Sequence, residues 1–96
     1  MVERARGPDW DDSRGIREQD GFDDHALFMD ALVDEGFVVL GGPVGAPTGE
    51  RTLLVVRAAN ENEVRARLRE DPWPESFLAI RAVEPWTVWL RATGLP

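Results

Sequence analysis

The order of the segments in this chain predicts an α+β domain with the succession βαββαβ. Three observations carry that expectation. Two stretches have helical spacing with recognisable ends, and three apolar runs of strand length are rich in valine, leucine and isoleucine. Glycine and proline punctuate the joins between them.

The first strand is the least patterned element. Residues 2–5 read as the end of a strand, and the rest of residues 1–21 is polar and charged. Gly7-Pro8 and Asp11-Asp12-Ser13-Arg14-Gly15 are turn signals. Five acids between Asp9 and Asp20 make this stretch read as a solvated surface loop. A helix is expected over residues 23–35, capped by Asp23 or Asp24, whose carboxylates also meet the positive end of the helix dipole. Gly36 stands where a helix takes a left-handed residue to stop.

Phe37-Val38-Val39-Leu40 then reads as a strand that Gly41-Gly42-Pro43 ends or kinks, and residues 45–49 as a turn. Residues 51–58 form a second apolar strand, whose continuous centre suggests burial on both faces or against a partner. Asn60 with Glu63 has the form of a capping box, opening a helix that carries Val64 and Leu68 inward. Arg65, Arg67 and Arg69 read as its solvated face. Asp71-Pro72 stops it, because proline disfavours helix in the residue before it. Residues 77–83 make the last strand, and 86–90 continue as an extended segment after Pro85.

This order is that of ferredoxin-like domains: an antiparallel sheet with two helices on one face. The other face of the sheet would be bare and apolar, and a second copy of the chain is the simplest cover. A homodimer through the open sheet face is therefore expected.

Composition narrows the chemistry. Ninety-six residues make one domain, spanning residues 1–96. The formal net charge of −7 argues against nucleic acid as the main partner, since phosphate binding draws on clustered positive charge. Without cysteine there is no disulfide, thiolate nucleophile or zinc cluster. Every basic residue is arginine, so a Schiff-base lysine and a P-loop are excluded too. No apolar run is long enough to span a bilayer and no secretory leader opens the chain, which reads as a soluble cytoplasmic protein without membrane contact.

His25, the single histidine, is the leading candidate for chemistry. Phe28, Met29, Leu32 and Val33 follow it at offsets of three, four, seven and eight, which define one stripe of a helix. An imidazole among apolar groups beside a carboxylate can act as general acid or base near neutral pH. The plain alternative is a core histidine bonded to a backbone carbonyl. Asp71 is either an acid facing the same pocket or simply the end of a helix. Asp23 and Asp24 are most simply caps. Trp73 could wall a cleft with a flat apolar surface, and Trp10 could fold over it. Trp86 and Trp89 are expected at the sheet edge or in the dimer interface. The Gly41-Gly42-Pro43 turn is expected to pack closely beside His25. One histidine and scattered carboxylates make a poor transition-metal site, and no cofactor is expected.

Taken in order, His25, Phe28-Met29, Leu32, Gly36, Gly42-Pro43, Asp71-Pro72 and Val83-Glu84-Pro85-Trp86 resemble the YCII-related (YciI-like) domain, over roughly residues 21–90. No single element is specific, but the ordered set is. The resemblance implies a dimeric α+β barrel built from two ferredoxin-like halves, similar in architecture to muconolactone isomerases. It also implies a histidine–aspartate catalytic pair whose histidine His25 matches. Some members act in the degradation of chlorinated aromatics, as dehydrochlorinases.

The chain departs from the family pattern twice. Many members carry an aspartate shortly after the Gly-Pro turn, whereas Val44-Gly45-Ala46-Pro47-Thr48-Gly49-Glu50 contains none. Asp71 or Asp24 would have to replace it, or no residue does. The family's first strand is apolar, and here Val2-Glu3-Arg4-Ala5-Arg6 stands in its place; either that strand is short or the start lies inside a longer reading frame.

Two functions follow as expectations. One is an acid–base isomerase or lyase, such as a dehydrochlorinase, acting through His25 with Asp71 on a small apolar, aromatic or lactone-like compound. That compound would lie between the first helix and the sheet, against Phe28, Met29, Gly42, Pro43 and Trp73. The other is a non-catalytic dimeric domain that binds a small molecule or a partner protein.

Overall fold

The structure, a computed structural model, describes residues 1–45 and 51–95. Its elements are β1 (Val2–Arg6), a 3₁₀ turn (Ile16–Glu18), α1 (Phe22–Asp34), β2 (Val38–Val44), β3 (Arg51–Val56), α2 (Glu61–Leu68) and β4 (Leu78–Val83). The four strands form one sheet in the order β2-β3-β1-β4, with every neighbouring pair antiparallel. This is the α+β, ferredoxin-like arrangement expected from the order of the segments.

The weakest strand in the sequence is central in the fold. β1 pairs with β3 on one side and β4 on the other, and Val2 is fully buried. Its side chains alternate, so Val2 and Arg4 face the helices while Glu3 and Ala5 face the opposite side. Pairing on both edges satisfies its backbone groups, so this short polar segment needs little apolar content of its own.

α1 begins at Gly21, whose φ is +79°, without a side-chain cap. Asp23 and Asp24 lie in its first turn rather than at the cap, where they still complement the dipole. At the other end Gly36 has φ +80°, its N–H donates to the Val33 carbonyl at 2.9 Å, and the Phe37 N–H donates to that of Leu32 at 3.0 Å. These are the two bonds of a Schellman ending, accompanied by burial of Leu32 and Phe37 in the same core. α2 opens as expected. The Asn60 side chain accepts from the Glu63 N–H at 2.9 Å, while Glu63 reaches back to the N–H of Ala59 rather than of Asn60.

Several local expectations are corrected. Gly41, Gly42 and Pro43 do not end the second strand; they lie within β2, opposite Leu54, Leu53 and Thr52. Proline is tolerated there because β2 is an edge strand and one side of it needs no donor. The turn expected at 45–49 lies, after Gly45, outside the described residues. Residues 86–90 form no strand, and Trp86 and Trp89 are exposed on this chain. Val33 also falls outside the inward stripe of α1, at 52 % exposure. Of the helix arginines, Arg65 pairs with Glu61, and Arg67 pairs with Glu35 and lies over the Phe37 ring, so that face ties the two helices together.

Val2, Leu32, Phe37, Val38, Leu54, Val64 and Leu68 form the core, with Phe28, Met29, Val56, Ile80 and Val83 packed against it. Both helices therefore cover the same face of the sheet. By register, Leu40, Leu53, Val55, Ala5 and Ala79 belong to the other face.

Candidate functional site

His25 is placed by the start of α1. Its N–H donates to the Gly21 carbonyl at 3.0 Å, closing the first turn and turning the imidazole inward, where it is 8 % exposed. Gly21 is needed twice over. Its φ lies in the left-handed region, and a Cβ there would come 3.2 Å from the Trp73 Nε1.

Asp71 follows the end of α2. The residue before a proline leaves the helical region, and the Asp71 carboxylate accepts the Trp73 N–H two residues on at 2.8 Å, the geometry of an Asx turn. So oriented, both carboxylate oxygens lie 2.9 Å from His25 Nδ1. Two residues 46 apart in sequence thus form one buried pair.

A third side chain completes it. Arg4, on the central strand, donates from Nη1 to Asp71 at 2.8 Å and from Nη2 to the Leu78 carbonyl of β4 at 3.0 Å. Opposite Arg4 the β1–β4 register slips by one, with Glu3 facing Ala82 and Arg4 facing Ile80, so Arg81 is the extra residue of a bulge. The Arg4 and Asp71 side chains are 3 % and 0 % exposed.

Burial alone would push the Asp71 carboxyl up, toward its neutral form. The bonds from His25, the Trp73 N–H and Arg4 outweigh it, and the carboxyl is held below its ordinary value. Asp71 is thus ionised at neutral pH, an acceptor with no proton to give. An ionised partner requires a proton on Nδ1, which in the neutral ring leaves the lone pair on Nε2.

Aromatic rings enclose the pair. The Trp73 indole stacks on the imidazole with centroids 3.9 Å apart and planes inclined by 13°. Its Nε1–H donates to the Asp20 carbonyl at 2.8 Å. Trp10 meets Trp73 edge-on at 5.5 Å and packs against Phe77. The loop carrying Trp10 is stiffened from within by Gln19, whose amide nitrogen donates to the Asp11 and Arg14 carbonyls at 2.7 and 2.9 Å and whose oxygen accepts the Asp11 N–H at 3.2 Å. The polar stretch that reads as a solvated loop is therefore a folded cover with buried anchors at Trp10 and Gln19. On the Asp71 and Arg4 side of the pair opens a cleft of about 300 Å³, lined by Arg4, Leu68, Asp71, Trp73 and Ile80 among others, with His25 behind Trp73 rather than in its lining.

The sequence-derived candidates separate into two groups. His25, Asp71 and Trp73 come together. Phe28 and Met29 are half-buried on the same helix as His25 and pack against the core. Gly42 and Pro43 are on edge strand β2, with β3 between them and β1, and the close packing beside His25 expected of that turn is not what positions the imidazole. Asp24, the other candidate acid, is exposed. Arg4 and Gln19 were not among the candidates. For Arg4 the available signal was its spacing of two from Val2, which puts a charge on the inward side of a strand. Among the described residues no group of three or more histidine, aspartate or glutamate side chains is placed to hold a metal ion. No helix among them is long and apolar enough to cross a membrane.

A ferredoxin-like sheet with both helices on one face, and a buried histidine–aspartate pair joining the start of α1 to the exit of α2, defines the class of protein. The family model of the YCII-related domain matches residues 11–87, and the chain belongs to that family. No curated protein and no solved structure matches it.

Proposed function

We propose that this protein is a small acid–base catalyst in which His25 moves a proton on a compact apolar, aromatic or lactone-like substrate. The observation that carries the reading is the bond between His25 Nδ1 and a buried, ionised Asp71. A carboxylate in that position fixes the ring's tautomer and orientation and stabilises the imidazolium once a proton is taken. Asp71 is then the orienting partner, and Nε2 is the atom that exchanges protons with substrate.

The step would be removal of a proton from a carbon next to a carbonyl or next to the carbon that bears a leaving group. The C–H electron pair forms a new double bond. In an isomerisation the imidazolium returns its proton to another carbon; in an elimination chloride departs with its bonding pair and water takes the proton. Trp73 supplies a flat apolar wall. The test is turnover, by the wild type and by His25→Ala, of a panel of lactones and of chlorides with a hydrogen on the neighbouring saturated carbon, chlorolactones among them. Loss of at least about a hundredfold in kcat/KM is expected on removal of a general base; equal rates would remove His25 from the mechanism.

The protein is further proposed to work as a homodimer through the open sheet face, where Leu40 is half exposed beside Leu53 and Val55. Light scattering at micromolar concentration should give twice the chain mass, and a monomer would refute it. A non-catalytic binding domain is the second reading, favoured by the enclosure of His25 at 8 % exposure. It makes the buried pair a structural tie, and it predicts ligand affinity that His25→Ala alters without any turnover.

A further inference from the structure

We infer that Arg4 is a positioning residue for the His25–Asp71 pair, dividing the Asp71 charge so that the imidazole keeps a usable lone pair. The inference rests on the catalytic reading above and adds to it a residue that lies outside the matched stretch 11–87.

A buried carboxylate against an imidazole, with no other cation near, drives the ring toward imidazolium, because the opposite charge is the only compensation in a poorly screened site. An imidazolium has no lone pair and cannot act as a base. In this protein the same carboxylate also meets a guanidinium at 2.8 Å, and that guanidinium cannot lose its proton. Asp71 is therefore already compensated. It can orient Nδ1–H without demanding a second positive charge from His25.

The geometry makes Arg4 hold still while it does this. Nη2 is committed to the Leu78 carbonyl and Nη1 to Asp71, so the planar fork bridges β4 and the α2 exit. The bulge opposite Arg4 lies on β4, the strand whose Leu78 carbonyl Arg4 also holds. Of the other charges near His25, Arg6 on the same face of β1 is half-buried over the Trp10 ring and faces Asp12 at 3.9 Å, and the rest are poorly placed to substitute. Asp23 and Asp24 on its own helix, Asp11, Glu18 and Asp20 on the loop, and Arg69 and Glu75 beside the cleft are all exposed, and Arg65 is half-buried but paired with Glu61. Solvent screens them, while Arg4 and Asp71 are dry.

His25 is the only imidazole, so its ring resonances in an NMR pH titration of the full chain need no assignment. The series is wild type, Arg4→Gln, Arg4→Lys, Asp71→Asn and the double variant Arg4→Gln/Asp71→Asn. Arg4→Gln should raise the His25 midpoint by about one pH unit relative to wild type, and Arg4→Lys, which keeps the charge, should restore most of that shift. Asp71→Asn leaves Arg4 uncompensated and should lower the midpoint; the double variant should lie about one unit above Asp71→Asn. On any substrate the wild type converts, the acid limb of the pH–rate profile should move with the midpoint.

A folded Arg4→Gln variant with the wild-type midpoint would overturn the inference. Should that variant fail to fold, the comparison of Asp71→Asn with the double variant decides, since neither leaves a carboxylate buried without a cation; identical midpoints there would overturn it equally. These outcomes are independent of turnover by His25→Ala. That experiment can refute the catalytic reading while the electrostatic coupling stands, and the titration can refute the coupling while catalysis stands.

Discussion

Replacing Asp71 by alanine should cost as much stability as truncating a large apolar side chain in the core. The carboxylate takes bonds from His25 Nδ1, the Trp73 N–H and Arg4 Nη1, and no part of its side chain is exposed. Alanine leaves all three donors without an acceptor and one of them permanently charged. Breaking a buried ion pair by removing one partner costs about 3–5 kcal/mol, the greater part of it for the charge left behind. A domain of 96 residues has a total stability of about 5–14 kcal/mol, so about a fifth or more is at stake. The corresponding fall in Tm is more than about 10 °C. Urea unfolding followed by tryptophan fluorescence suits the measurement, because Trp10 and Trp73 are buried against the pair while Trp86 and Trp89 are exposed already.

The sharper test is a cycle with Arg4→Met. Each single variant leaves one buried charge alone, but the double variant Arg4→Met/Asp71→Ala leaves none. Its loss should fall short of the sum of the singles by about 2 kcal/mol or more. Strict additivity, or a loss for Asp71→Ala under about 1 kcal/mol, would refute a buried pair at this position.

Acid should act through the same group. Asp71 titrates below its ordinary value in the folded chain, so its contribution is full above about pH 4 and is lost as pH falls through the folded value; stability of Asp71→Asn should depend less on pH in that window, by urea midpoints. Gly36→Ala places a Cβ in open space but at φ +80°, and should cost about 1 kcal/mol from backbone strain alone, read by the same unfolding assay. Asn60→Ala should cost about 1 kcal/mol through the lost α2 cap, with Asn60→Asp close to wild type. Trp73→Phe removes the Nε1–H bond to Asp20, so amide exchange across residues 9–21 should quicken while β3 stays protected.

How much was legible varies with the range of the interaction. The helix ends were readable because caps and left-handed glycines act within a few residues, as Gly36 and the Asn60–Glu63 box show. The α1 start lies one position earlier than the aspartates suggest, since a glycine in the left-handed region can begin a helix where two neighbouring aspartates offer caps. β1 was hardly visible, because a central strand is defined by partners at residues 51–54 and 78–83 and not by its own five residues.

The sequence by itself determined the element order, the single acid–base candidate at His25 and the apolar stripe beneath it, all through periodicity and composition. Only the tertiary structure decided which acid meets that imidazole. Asp71 is 46 residues from His25 and Arg4 is 67 from Asp71, and both separations are spanned by the packing of two helices over a sheet. Local spacing carries no record of such a meeting, because near-neighbour bonds only orient each side chain and it is the shared core that brings the three within reach.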